Sequence, residues 1–78
     1  MEKNDLYNFF CKTLDGYKAE IYLGEIKKES IKVYIEDEIL FLFAGERRFR
    51  SWLPKNFDPK SLLYEFKDGT IELRLKTH

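Results

Sequence analysis

The sequence predicts an all-β fold, a small antiparallel β-sandwich formed by a single domain over residues 1–78. Three observations predict it. Apolar residues recur with a period of two through most of the chain, Asp-Gly and Asp-Glu pairs interrupt these runs where hairpins would turn, and no segment sustains a helical period. About six or seven short strands at this spacing suit two packed antiparallel sheets.

The first strand pair surrounds Asp15-Gly16. As a two-residue turn this pair would place Lys12 and Asn8 on the apolar face, so a three-residue loop Leu14-Asp15-Gly16 is expected, with Gly16 supplying a positive φ. That register pairs Thr13 with Tyr17, Cys11 with Ala19, Phe9 with Ile21 and Tyr7 with Leu23, and makes Cys11 a core residue. "GEIKKES" is a polar connection with room for one turn at Lys27 to Ser30. The run "IKVYIEDEILFLFAG" then forms a hairpin about Asp37-Glu38, with Ile31, Val33, Ile35, Leu40, Leu42 and Ala44 on one face. Its other face is unusual for a solvated surface: Tyr34 opposes Phe41, Lys32 opposes Phe43 and Glu36 opposes Ile39.

The next run, "RFRSWLP", alternates Phe49, Ser51 and Leu53 against Arg48, Arg50 and Trp52, and Pro54 closes it. "KNFDPKS" is a second polar connection, with a turn at Pro59 to Ser61. The closing hairpin turns on Asp68-Gly69, where Phe66 faces Ile71, Tyr64 faces Leu73 and Leu62 faces Leu75, while Lys67/Thr70, Glu65/Glu72 and Leu63/Arg74 share the opposite side.

Composition limits the function. A chain of 78 residues makes one domain and buries only about 60% of its unfolded surface, so each inward position counts. Fourteen Lys+Arg balance fourteen Asp+Glu, which argues against nucleic acid or an anionic membrane as partner in bulk and leaves only a local patch. The lone Cys11 precludes an internal disulfide and fits a reducing, cytoplasmic location. No apolar run approaches the roughly 20 residues of a spanning helix, and the acidic residues in "MEKNDLYNFF" are unlike a signal peptide. No membrane partner is expected. With His78 the single histidine and Cys11 inward, no nucleophile has a base beside it, so no enzymatic activity is expected. These two residues also fall short of the roughly four ligands of structural zinc, and no glycine-rich phosphate loop is present, so neither metal nor cofactor is expected. Glu36-Asp37-Glu38 reads as a charged hairpin tip.

The order of these pieces carries a family resemblance. "GYKAEIYLGEIKKESIKVYIEDEILFLFAGERR" followed by "FRSWLPKNFDPKSLLYEFKDGTIELRL" resembles the α-crystallin domain of the small heat-shock proteins over roughly Leu6 to Lys76. The match runs through Gly16-Tyr17, the Ile26 to Val33 stretch, Gly45-Glu46-Arg47, Leu53-Pro54, Asn56, Asp58-Pro59 and the Asp68-Gly69 hairpin. The resemblance implies an immunoglobulin-like sandwich and a chaperone of the stress response that binds non-native or extended protein segments without ATP. The chain departs from the family where "AGERR" replaces a long loop carrying a strand that swaps between dimer partners, and where the sequence reaches His78 without an Ile-x-Ile/Val tail. A monomer or homodimer is therefore expected. The chain is also similar to the CS-domain co-chaperones, which share the sandwich without the loop and bind a specific folded partner; this adaptor role is the alternative.

Two candidate surfaces follow. The resemblance implies a partner-binding groove between the Ile31 to Glu36 and Leu62 to Phe66 strands, lined by Val33, Ile35 and Leu63. The outward set Tyr34, Ile39, Phe41, Phe43 and Trp52, with Arg48 and Arg50, forms a candidate interface face. Within it "ERRFRSW" is a basic ribbon interleaved with aromatics, a pattern able to stack and neutralise a nucleic-acid strand, which the zero net charge opposes.

Overall fold

The polypeptide folds as two four-stranded sheets packed face to face; the structure, a computed structural model, describes residues 6–77. Among these residues the strands are β1 (Leu6–Tyr7), β2 (Cys11–Lys12), β3 (Gly16–Tyr22), β4 (Ile31–Glu36), β5 (Ile39–Ala44), β6 (Arg47–Trp52), β7 (Leu63–Lys67) and β8 (Thr70–Lys76). One sheet has the order β1-β6-β5-β4 and the other β2-β3-β8-β7. Single 3-10 turns at Lys28–Ser30 and Pro59–Ser61 lie in the β3–β4 and β6–β7 connections, which cross between the sheets. They fall where the polar linkers predict them.

The core follows from the period of two. Leu40, Leu42 and Ala44 of β5 face Ala19 of β3 and Ile71 and Leu73 of β8, all nearly inaccessible to water, and Leu23 and Ile31 complete the cluster. Register agrees with the sequence at both tight hairpins. Ile31 pairs with Ala44, Val33 with Leu42 and Ile35 with Leu40, while Leu63 pairs with Arg74, Tyr64 with Leu73 and Phe66 with Ile71. Each of these turns has two residues, and both central residues have positive φ: Asp37 at 53° and Glu38 at 66°, Asp68 at 53° and Gly69 at 80°. This is the mirror-image turn whose twist suits a hairpin.

The first hairpin differs from expectation. Cys11 pairs with Lys18 and Lys12 with Tyr17, so the loop runs from Thr13 to the start of β3 and is closed by the Thr13 N–H donating to the Gly16 carbonyl oxygen at 2.8 Å. This register is one residue away from that predicted, and it turns Cys11 outward, where it is exposed. The cause is competition from the other sheet. β1 leaves the expected hairpin and pairs in parallel with β6, Leu6 opposite Arg50 and Tyr7 opposite Ser51. The Phe9 N–H donates to the buried Ser51 hydroxyl at 3.1 Å, and the Phe9 ring meets Phe49 edge-on at 6.2 Å. The segment thus crosses the side of the sandwich, and Phe9 and Phe10 pack on the core rather than pairing with β3.

Gly16 also serves a purpose other than the one predicted. It does not adopt positive φ; it is the buried first residue of β3, where an added Cβ would collide with the backbone carbonyl of Leu75. Gly16→Ala is expected to destabilise the fold by about 1–3 kcal/mol through overpacking against backbone, read as a lower urea midpoint. Glu38→Gly should do the opposite. A left-handed conformation costs an L-residue about 1–2 kcal/mol and glycine gives back about 0.5–1 in chain entropy, so a gain of about 0.5–1 kcal/mol is expected in the same measurement.

Candidate functional site

β4 and β7 end their sheets, so each presents a backbone edge that no other strand among the described residues occupies. The short link from β1 to β2 joins the other two ends, which puts the β4 and β7 edges together on the open side of the sandwich. The inward residues here are less covered than those of the central strands. Val33 and Ile35 of β4 and Phe66 of β7 are half-buried and pack on the core, as does Leu62 at the entrance to β7. Tyr64, which shares the inward side of β7 with Phe66, is 46% exposed. The result is an apolar row between two unpaired edges, capable of receiving an extended segment.

Val33 and Ile35 therefore lie where the sequence predicts. Leu63 does not. It projects from the outer face of β7 opposite Arg74, is 65% exposed, and lines an outer depression of about 460 Å³ with Tyr17, Lys18 and Arg74. The Asp68-Gly69 register already carries this result, since it places Tyr64 and Phe66 inward and Leu63 outward. Tyr64 and Phe66 are the groove residues that the prediction missed, and strand parity is the signal that identifies them.

All seven residues of the candidate interface face share one surface. The registers of β4, β5 and β6 arrange that outer face in three rows: Lys32, Phe43 and Arg48; Tyr34, Phe41 and Arg50; Glu36, Ile39 and Trp52. The Tyr34 ring stacks on Phe41 at 5.0 Å with planes 12° apart, and on Phe43 at 5.9 Å and 18°. A depression of about 350 Å³ is lined by these three residues with Arg48, Phe49 and Arg50. Arg47, from the same basic run, is turned to the other side of β6, where it caps the Leu23 carbonyl at 3.2 Å and lies over the Phe49 ring at 5.1 Å.

The outer face of the second sheet is electrostatically self-contained. Lys18 reaches Glu72 at 3.1 Å and Glu20 at 3.4 Å, and Arg74 reaches Glu72 at 3.0 Å. Hydrogen bonds from Lys18 and then Arg74 hold the Glu72 carboxyl below its ordinary range, and hydrogen bonds to Glu72 and Glu20 raise Lys18. Among the described residues no group of three or more His, Cys, Asp and Glu side chains is placed to hold a metal ion, and no helix is long and apolar enough to cross a membrane. His78 lies outside the described residues, as does the Met1 to Asp5 part of the N-terminal segment.

This architecture is that of the α-crystallin domain. No protein-family model matches the sequence, and no curated protein matches it by sequence. Solved structures match by fold: hspA from Xanthomonas axonopodis at a TM-score of 0.78 and 16% identity, covering 88% of this chain and 89% of that one. Heat shock protein 16.0 from Schizosaccharomyces pombe matches at 0.76 and 14%, covering 100% and 77%, and stress-induced protein 1 from Caenorhabditis elegans at 0.68 and 17%, covering 87% and 84%. The chain thus has the fold of the small heat-shock proteins at very low sequence identity.

Because Glu72 titrates below its ordinary value, its contacts stabilise the fold above that value and are lost as pH falls through the lowered one. Glu72→Gln is therefore expected to lower the melting temperature near neutral pH and to converge on the unmodified chain in acid, once pH falls below the lowered value. Equal differences at both pH values would show that the Glu72 ion pairs contribute nothing.

Proposed function

We propose that the chain is a chaperone-type binding domain that holds non-native or extended protein segments without ATP, along the open side between β4 and β7. The half-buried row of Val33, Ile35 and Phe66, with the exposed Tyr64 beside it, between two unpaired strand edges carries this reading. A bound segment adds backbone hydrogen bonds to either edge and places alternate apolar side chains in the row, with no covalent step. The α-crystallin fold supports it. The free, exposed Cys11 suits a reducing compartment such as the cytoplasm. A monomer or homodimer fits the tight Gly45-Glu46 turn between β5 and β6, which provides no arm for strand exchange. That same turn favours a second reading, an adaptor domain that docks on one folded partner.

With one domain per client, the aggregation of heated citrate synthase, followed by light scattering, is expected to be suppressed. Aggregation at the uninhibited rate would rule out the holdase reading. Tyr64→Glu places a carboxylate in the apolar row at a half-exposed position and is expected to abolish suppression while the domain stays folded by circular dichroism. Recovery of a single folded protein in a pull-down, without any suppression, would establish the adaptor instead.

A further inference from the structure

The outer face of β4, β5 and β6 lies on the opposite side of β4 from Val33 and Ile35, so the groove does not account for it. Its charge is distinctive. The chain as a whole is neutral, yet this face carries Lys32, Arg48 and Arg50 against Glu36 alone, whereas the outer face of the other sheet sets Lys18, Lys67, Arg74 and Lys76 against Glu20, Glu65 and Glu72. The cations of the second sheet include two engaged in ion pairs; among the described residues, Lys32, Arg48 and Arg50 have no carboxylate within 4.0 Å. The acids that bring the chain to neutrality lie in turns and connections, such as Asp37, Glu38 and Glu46, rather than on this face.

The positive face also holds the aromatic residues. Phe41 and Phe43 lie between Tyr34 and Lys32 on one flank and Arg50 and Arg48 on the other, in matched rows. The three ring planes are close to parallel, and the 350 Å³ depression opens between them and the two arginines. A planar group entering it continues the ring stack on one side and meets guanidinium on the other. Along each strand the rings and the cations repeat every second residue, about 6.8 Å, a pitch comparable to that of successive nucleotides in an extended strand. We propose that this face binds single-stranded nucleic acid, with bases on Phe41, Phe43 and Tyr34 and phosphates on Arg48, Arg50 and Lys32. An acidic peptide would satisfy the cations but leave the rings without planar partners. A second copy of the chain would bring two positive faces together.

Trp52, the single tryptophan, sits on this face two residues from Arg50 and is 52% exposed, so it reports occupancy directly. Titrating the full chain with twelve-nucleotide oligothymidylate and oligouridylate at low salt is expected to change Trp52 fluorescence saturably with at least one of them. Affinity should fall with salt at a log–log slope of about −2, for three phosphate contacts. Tyr34→Ala is expected to weaken binding about 5-fold or more, and combined Arg48→Ala and Arg50→Ala about 10-fold or more, with unchanged circular dichroism, whereas Lys67→Ala on the other sheet has no effect. No binding by either oligonucleotide overturns the proposal. So does equal affinity for a duplex of the same length, or for polyglutamate, which would make the face a general anion or acidic-protein site. Sedimentation showing a dimer that shields Trp52 and excludes the oligonucleotides would likewise overturn it in favour of a second copy.

Discussion

Leu40 and Leu42 from one sheet and Ile71 and Leu73 from the other are wholly removed from water, and the rest of the structure depends on their contact across the sandwich. Among the described residues no second buried cluster compensates for a shifted strand. Because side chains alternate between faces, a slip of one residue in β5 or β8 would exchange these four for Phe41, Phe43, Glu72 and Arg74. In β8 such a slip would bury Glu72 and Arg74, and in β5 it would force two phenylalanines into the space of two leucines, costs that exceed any local preference. Burial of one side therefore dictates what the other side displays. The aromatic and basic outer face is not an accident of composition, since the register that protects Leu40 and Leu42 compels Phe41 and Phe43 outward.

This coupling explains which parts of the fold are legible in sequence. The β4-β5 and β7-β8 hairpins have two-residue turns, so the turn and the apolar alternation each fix the same register and agree. The outer face of β4, β5 and β6 is legible for the same reason, and all seven of its predicted residues come together. At Thr13 to Gly16 the two signals separate. The turn is longer, β2 pairs over only two residues, and the apolar residues before it serve the opposite sheet. Alternation in Tyr7, Phe9 and Cys11 reads as one strand facing β3, but the pairing of β1 with β6 and the Phe9 bond to Ser51 are long-range and leave no local trace. The Leu63 assignment fails differently: it came from resemblance, while strand parity in the same hairpin already excluded it.

The edges of the two sheets are treated unequally, and this asymmetry locates the groove. β1 covers the outer edge of β6, and β2, short and bearing exposed Cys11 and Lys12, covers that of β3. Both come from one N-terminal segment that crosses the side of the sandwich and is held there by Ser51, Phe49 and the core. At the opposite side nothing comparable covers β4 and β7 among the described residues. An open strand edge next to a half-buried apolar row is ordinarily a site of unwanted pairing. Its retention here, beside Val33, Ile35 and Phe66 rather than beside charged inward residues, is what a domain requires if its partner is itself an extended strand.

The two faces of β4 then present the two proposed surfaces on one backbone. Val33 and Ile35 look toward the groove, and Lys32 and Tyr34 look toward the stacked rings, so occupancy on either side acts on the same six-residue strand. β4 is hydrogen-bonded only to β5 within its sheet, and the Asp37-Glu38 turn that joins them holds two residues with side chains at positive φ. A strand with one neighbour and a strained turn is less constrained than the central strands β5, β6, β3 and β8. A segment pairing along the free edge of β4 would supply its second neighbour and order the strand. That ordering would also fix Tyr34 against Phe41 and Phe43, so that, were both proposed surfaces occupied, each would act on the other through this one strand.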